Sequence, residues 1–548
     1  MPRKQSYAAQ LGTKASPGVE RTFGRKDEVK NTAGGYVFKV DSFARLERFL
    51  ILGNEGGTYY AKESKLTKEN AACVLECLKE DSARTVAVIA SISDQGRAPK
   101  NDAAIFALAL AASADQVSRR LALEALPLVC RTGTHLFQFA AACDQLRGWG
   151  KGLRRAIGDW YNRLPPEKLA YQVVKYQQRG GWSHRDLLRL AHRRPQGHDY
   201  ERVFKYVVKG LPEGLTPGEE AAASDPLRII EGFERAKKAE VREVAALVES
   251  YGLTWEMVPT EALNSPAVWE ALLQKMPLNA MVRNLGKMTK VGVIAPMSEG
   301  LKLVRSRLLD KDYVQKSRMH PIPLLVAQRT YAQGHGEKGK LSWSPQQAIV
   351  DALDDAFYLA FKNVEATGKK QLLAVDISGS MGGQISGYPI NCREAAAAMV
   401  MVTMRVEDPA DFYLVGFTSS GGSGFYGSAA LTPIPVSPKM RLEEVCEVMA
   451  QMPMGGTDCS LPMQFAKQHS MKVDAFVTLT DNEHWAGGMK PFQALEQYRS
   501  SSGIKAKAVV YGMTATEFTI LDPKDPLSLN IVGFDTAGPQ LAQDFVRG

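Results

Sequence analysis

Apolar residues recur at three- and four-residue spacing along most of this chain between about residues 36 and 365. The rhythm is plain in RLERFLILG, ENAACVLECLKED, DAAIFALALAAS and QVSRRLALEALPLVCR. It returns in WSHRDLLRLAH, VREVAALVESYG, VWEALLQKM and PLLVAQRTYAQ. Such spacing lines one face of a helix with core residues. The breaks are short and β-branched runs are few, so the segment predicts helix pairs stacked as an α-solenoid of HEAT or armadillo type. No strict sequence period is present, and an irregular helical domain satisfies the same pattern. The clearest interruption is LPEGLTPGEEAAASDP (211–226), a loop rich in Pro, Gly and acid.

From about residue 369 the period changes. QLLAVDIS, DFYLVGFT, AFVTLTD, KAKAVVYGM and NIVGF read as strands. Between and after them, NCREAAAAMVMVTMRV, KMRLEEVCEVMAQM, SLPMQFAKQHS, MKPFQALEQYRSSSG and QLAQDFVRG read as helices. Alternation of this kind predicts a doubly wound α/β sheet. The expected fold class is therefore α followed by α/β. A basic, flexible tail covers 1–35, a helical domain 36–368 and an α/β domain 369–548. At 548 residues the chain is too long for one core.

The α/β part carries the sharpest chemistry. Asp376, Ser378 and Ser380 form Asp-x-Ser-x-Ser directly after an apolar strand. Thr457 stands in Gly-Gly-Thr-Asp, and Asp481 ends AFVTLTD. In an open parallel sheet, loops at the carboxyl ends of strands meet in one crevice. Two carboxylates and three hydroxyls without imidazole or thiolate make a hard, all-oxygen donor set. It suits Mg²⁺, with Mn²⁺ or Ca²⁺ as alternatives. As a motif, Asp-x-Ser-Gly-Ser is also an ordinary turn; the matching Thr and Asp on later loops favour a metal.

Charge adds a second theme. The whole chain is +9, yet residues 371–548 hold 12 Lys+Arg against 18 Asp+Glu, leaving +15 on residues 1–370. A basic body beside an acidic domain points to a polyanion as partner. The densest basic stretch is 151–194. Lys175 and Arg179 lie four apart, and Arg185, Arg189 and His192 follow at i, i+4 and i+7, each set reading as one helix face. Trp160, Tyr161, Tyr171, Tyr176 and Trp182 lie among them. Cations bind phosphates and exposed aromatics stack on unpaired bases, so the stretch predicts RNA or DNA contact. Buried aromatics under a solvated basic face are the plainer alternative.

Other classes are disfavoured. Gly422–Gly427 matches G-x-G-x-x-G but leads into no helix. Gly334–Lys340 resembles a P-loop, but Leu341 replaces the hydroxyl that would hold Mg²⁺, and a helix rather than a strand precedes it. His-Glu-x-x-His, Gly-x-Ser-x-Gly and zinc-type Cys/His spacing are absent from the sequence. The seven cysteines are scattered and odd in number, which fits free thiols in a reducing cytosol. No apolar run reaches the ~18–20 residues of a membrane span, and the N-terminus lacks the apolar core of a secretory signal.

The metal-site residues resemble the metal-ion-dependent adhesion site of von Willebrand factor A domains. The chain as a whole is similar to the Ro autoantigen family, a TROVE module joined to such a domain. The resemblance rests on RLERFLILGNEGGTYYAKESKL (45–66), RTGTHLFQF (131–139), GKGLRRAIGDWYN (150–162) and KYQQRGGWSHRDLLRLAH (175–192). It extends through ALLQKMPLNAMVRNLGKM (271–288), GHGEKGKLSW (334–343) and GGTDCSLPM (455–463). It implies a ring of HEAT-like helices closed by the A domain. It also implies binding of Y RNA on the outer face and of single-stranded ends of misfolded noncoding RNA in the hole. Lys175, Arg179 and His192 match family positions implicated in RNA binding. The N-terminal tail and GGSGFYG depart from the pattern and inherit no role.

The expectation is a non-enzymatic RNA-binding scaffold for noncoding RNA quality control or decay, cytoplasmic, without membrane contact and monomeric. In bacterial relatives the resemblance implies partnership with an exoribonuclease such as polynucleotide phosphorylase. The competing reading is a protein-interaction module whose A domain binds an acidic partner through a divalent metal. A metal nuclease ranks third.

Overall fold

The structure is a computed structural model. It describes residues 28–30, 36–38, 42–53, 58–60, 71–96, 98, 100–210, 225, 227–337, 339–418, 431–452, 457–481, 489–514, 520–522 and 525–548. Most of the 1–35 tail, the 211–226 insert and Gly422–Gly427 lie outside those residues. Near the start, strand β1 (Glu28–Lys30) pairs antiparallel with β2 (Tyr36–Phe38).

From Ser42–Leu52 to Gln347–Leu359 the chain is helix after helix. Starts are set by side-chain caps that satisfy the first free amides. Asp81 accepts from Arg84 N, Asp115 from Val117 N and Ser118 N, and Thr132 from His135 N. Helices pack in layers: Ser82–Asp94 lies on Gln116–Val129, and Asp102–Ser113 on Gly133–Leu146. The middle member, DAAIFALALAAS, is buried from Ala103 to Ala112 except at Phe106, so it needs no polar face.

The remainder alternates strands with helices and is built on a seven-stranded sheet. Its order is β3 (Thr58–Tyr60), β11 (Ser528–Val532), β10 (Lys507–Gly512), β9 (Ala475–Thr480), β6 (Gln371–Asp376), β7 (Phe412–Phe417), β8 (Leu431–Pro433). All neighbours are parallel except β7 and β8. Central β6 and β9 are buried throughout, which explains their unbroken apolar runs. Alternation divides β6 between two cores: Leu373 and Val375 face the larger cluster shared with the helices, Leu372 and Ala374 the smaller one. Pro433 sits on an edge strand, where a missing amide donor is tolerated.

Strand β3 is the surprise. Residues 58–60 follow the first helix of the helical array, yet they pair with Asn530–Val532 and extend the sheet. At the other end of the array, Arg329 bridges to Glu394 and Glu443, and Tyr358 Oη accepts from Leu442 N at 3.0 Å. Both ends of the helical array thus meet the same sheet domain, which makes the array ring-like. All seven cysteines are free thiols.

Candidate metal centre and nucleic-acid interface

Strands β6 and β9 are neighbours in register, with Val375 opposite Leu479. Their carboxyl ends therefore set Asp376 beside Thr480 and Asp481. The Asp376 side chain accepts from Ser378 N (2.8 Å), Thr480 Oγ1 (2.8 Å) and Thr457 Oγ1 (3.4 Å). Thr480 Oγ1 also lies 3.5 Å from Asp481 Oδ1, and the Ser378 and Ser380 hydroxyls share a 2.9 Å hydrogen bond. The structure brings all five sequence-selected oxygens to one place. Asp376, Ser378, Thr457 and Asp481 are buried, and Ser380 faces solvent. Sequence reasoning missed Thr480, although it adjoins Asp481 on an inward-facing strand end.

Burial, followed by the nearby Asp481 charge, pushes the Asp376 carboxyl up to about 6, against the lowering pull of Ser378 and Thr480. Two buried like charges held by neutral hydroxyls and an amide are an arrangement that a cation completes. Nearby thiols stay protonated. Burial and the two carboxylates raise Cys392 to about 12 and Cys459 well above its ordinary value, Asp458 adding to the latter. The donors at the site are hence all oxygen, and the set fits a hard divalent ion.

The basic stretch folds differently from its sequence reading. Helix Pro166–Lys175 ends at Lys175, and Arg179 lies on β4 (Gln178–Arg179), paired with β5 (Trp182–Ser183). The two cations do not share a helix face. Gly180 and Gly181, both at positive φ (57° and 82°), turn the chain between the strands. Ser183 then forms a capping box with Asp186 and starts helix His184–Ala191. Arg185 and Arg189 lie one turn apart on its exposed face, while Leu187, Leu188 and Ala191 are buried. His192 caps the helix end in the left-handed region (φ 49°) and is exposed.

Arg179, Arg185 and Arg189 are exposed and make no ion pair among the described residues. Lys175 is different. Its ammonium donates to Tyr171 Oη at 3.1 Å and stands 3.6 Å from the Glu256 carboxylate. Burial works against its charge, but the Tyr171 hydrogen bond and Glu256 outweigh it and raise the lysine above its ordinary value. Glu256 carried no sequence signal for this contact. Trp160 and Tyr161 are core residues and offer no stacking surface. Trp182 is half-buried against Trp149, at 5.5 Å between ring centroids, and Tyr171 and Tyr176 are half-buried beside Lys175. Gly334–Lys340 forms an excursion in which Trp343 N returns to Gly334 O at 2.8 Å.

Two family models match this chain, the TROVE domain over residues 29–330 and the Ro60 vWA domain over residues 370–546. The chain belongs to the Ro60 family. A Caenorhabditis elegans relative, RNA-binding protein RO60, is 36% identical over 597 residues, covering 95% of this chain and 90% of the relative. The Deinococcus radiodurans protein of the same name is 40% identical over 528 residues, covering 95% and 96%. A crystal structure of the D. radiodurans Ro (Rsr) protein superposes with a TM-score of 0.84 at 39% identity, over 93% of this chain and 100% of that one. The Ro60 vWA match spans all five metal-site candidates, and the TROVE match spans the hairpin–helix unit.

Proposed function

We propose that this Ro60-family chain is an RNA-binding scaffold of a Ro-type ribonucleoprotein. One observation carries the reading: three exposed arginines free of ion pairs among the described residues, Arg179, Arg185 and Arg189, lie on one hairpin–helix unit, with His192 capping its helix and Lys175 ending the helix just before it. Guanidiniums without acidic partners are available to phosphates, and binding of this kind weakens with salt. The naming of both relatives as RNA-binding proteins supports the same reading. The finer proposal is binding of Y RNA and of single-stranded ends of misfolded noncoding RNA, in RNA quality control or decay. The chain acts by binding rather than catalysis, as a cytoplasmic monomer, and hands RNA to an exoribonuclease such as polynucleotide phosphorylase if its host is bacterial. Among the described residues no helix is long and apolar enough to cross a membrane.

Asp376, Ser378, Ser380, Thr457 and Asp481 would hold Mg²⁺. When bound, the ion supplies a positive centre able to take a carboxylate from outside. Ser380 is the exposed member of the set, and this favours the second reading, in which the A domain docks an acidic protein partner.

Sequencing of RNA crosslinked to the protein tests the proposal. Enrichment of structured noncoding RNA with free ends, lost in Arg185→Ala/Arg189→Ala, is the expected result. A preparation that carries no RNase-sensitive nucleic acid and binds no structured RNA would leave the acidic-partner reading in its place. Loss of RNA caused by pure protein with Mg²⁺ would overturn the non-enzymatic role.

A further inference from the structure

A cavity of about 380 Å³ opens where the helical array meets the sheet domain, far from the hairpin–helix unit in sequence. Ligand pockets begin at about 300 Å³, so the space suits a small molecule. The array contributes Asp355 and Tyr358, and the sheet domain contributes Arg405, Lys439 and Arg441. Two guanidiniums crowd one ring: Arg405 lies 4.9 Å and Arg441 4.6 Å from the Tyr358 centroid. Arg441 is ion-paired with Asp354. Arg405 has only a carbonyl, Met440 O, at 2.6 Å, and its Nε is buried without a partner. Burial, with Arg441 adding, holds the Arg405 guanidinium below its ordinary range. Lys439 is exposed and makes no ion pair among the described residues.

Three cations therefore line one concave surface, and of these only Arg441 has an ion-pair partner among the described residues. Cationic groups without an acidic partner are available to phosphate oxygens. We propose that this junction cavity binds a phosphorylated small ligand of the nucleotide class, its phosphate between Arg405, Lys439 and Arg441. Asp355, contributed by the helical array, can accept from a ribose hydroxyl, which favours a nucleotide over bare phosphate. A ligand there touches both domains at once. It stabilises their docking by binding the joined state alone.

Calorimetric titration and thermal unfolding of the full chain test this with four probes: ADP, adenosine, inorganic phosphate and a short 5′-phosphorylated RNA. ADP should bind saturably and raise Tm, and adenosine should do neither. Lys439→Gln, at an exposed position where misfolding is not a concern, should weaken ADP binding by about tenfold. Arg405→Gln should abolish it, with circular dichroism to check the fold. Lys340→Ala and Arg185→Ala should leave it unchanged. Inorganic phosphate that binds with the same Lys439 dependence assigns the site to the phosphoryl group. RNA that binds there in preference to ADP assigns that group to an RNA end. No saturable binding by any phosphate probe, equal binding of adenosine, or full affinity in Lys439→Gln overturns the proposal.

Discussion

Arg329 Nε meets the Glu394 carboxylate at 2.6 Å, across the junction of the helical array and the sheet domain. Glu394 lies in the first turn of helix Cys392–Val406, and its amide is capped by Asn391 at 2.8 Å. The loop that leads to Asn391 begins at Asp376. One short run of chain thus carries three of the five metal-site residues, Asp376, Ser378 and Ser380, at its start and the Glu394 side of the interdomain ion pair at its end. Arg329 also reaches Glu443 at 3.2 Å.

Arg329→Gln should destabilise the protein by about 1–3 kcal/mol. That lies between an exposed pair and a fully buried one, because Glu394 is largely shielded from water. Urea unfolding measures it. High salt should narrow the gap between the two proteins. An unchanged midpoint would show that the junction rests on its apolar packing alone.

Asp376→Ala should abolish Mg²⁺ binding in calorimetry. It should also remove the thermal stabilisation given by the ion, about 2.7 kcal/mol at 100 times its Kd. Ser380→Ala, at the exposed member, should weaken binding without threatening the fold. Wild-type affinity in both variants would refute the metal assignment.

Gly334–Lys340 should bind no ATP, and Lys340→Ala should change nothing measurable with that nucleotide. The segment folds back through Trp343 N to Gly334 O and does not open a helix N-terminus toward a phosphate. Saturable ATP binding that disappears in Lys340→Ala would reverse this reading.

Below neutral pH the helical array should lose stability through His184. Its ring is buried, its Nδ1 shares a 2.7 Å hydrogen bond with Tyr161 Oη, and burial lowers it to about 4. The unfolded chain takes up the proton near its ordinary value of 6.5, before the folded chain does. Stability is therefore intact above that value and falls as pH drops from 6.5 toward 4, by about 1.4 kcal/mol per pH unit for one proton. His320, also held at about 4 by burial, adds to the slope. Urea unfolding between pH 7 and 5 should show the loss, and His184→Gln should flatten it by one proton's worth. An identical slope in that variant would clear His184 of the effect.

Much of the fold was legible because local pattern and burial agree. QLLAVD and AFVTLT are apolar on both faces because they form the centre of the sheet, and each is followed or ended by aspartate where the carboxyl ends meet. Strand β3 was not legible. Three residues gain strand identity only from Asn530–Val532, some 470 positions away. The hairpin at Gly180-Gly181 did leave a signal, a glycine pair between polar and aromatic residues, and helical periodicity was carried across it. Trp160 and Tyr161 stood among cations in sequence, but their helix turns them into the core. Glu256 reaches Lys175 only through tertiary packing.

That ion pair separates two cations that the sequence treats alike. Arg179 is exposed and free of ion pairs among the described residues, so Arg179→Ala should weaken binding of a structured RNA with a free end and leave unfolding unchanged. The log–log slope of affinity against salt should shrink by about 0.7–0.9, because one phosphate is no longer neutralised. Lys175→Ala should do both: weaken RNA binding and lower stability, since it strands Glu256 and removes the hydrogen bond to Tyr171. Glu256→Gln is the informative partner. It frees the lysine from its carboxylate, so RNA affinity should hold or rise as stability falls. Lys467→Ala with Lys472→Ala, in the sheet domain, removes equal charge and should change RNA affinity little. If that control pair weakens binding as much as Lys175→Ala with Arg179→Ala, the attraction is general to the basic surface, and the hairpin–helix unit is not the RNA site.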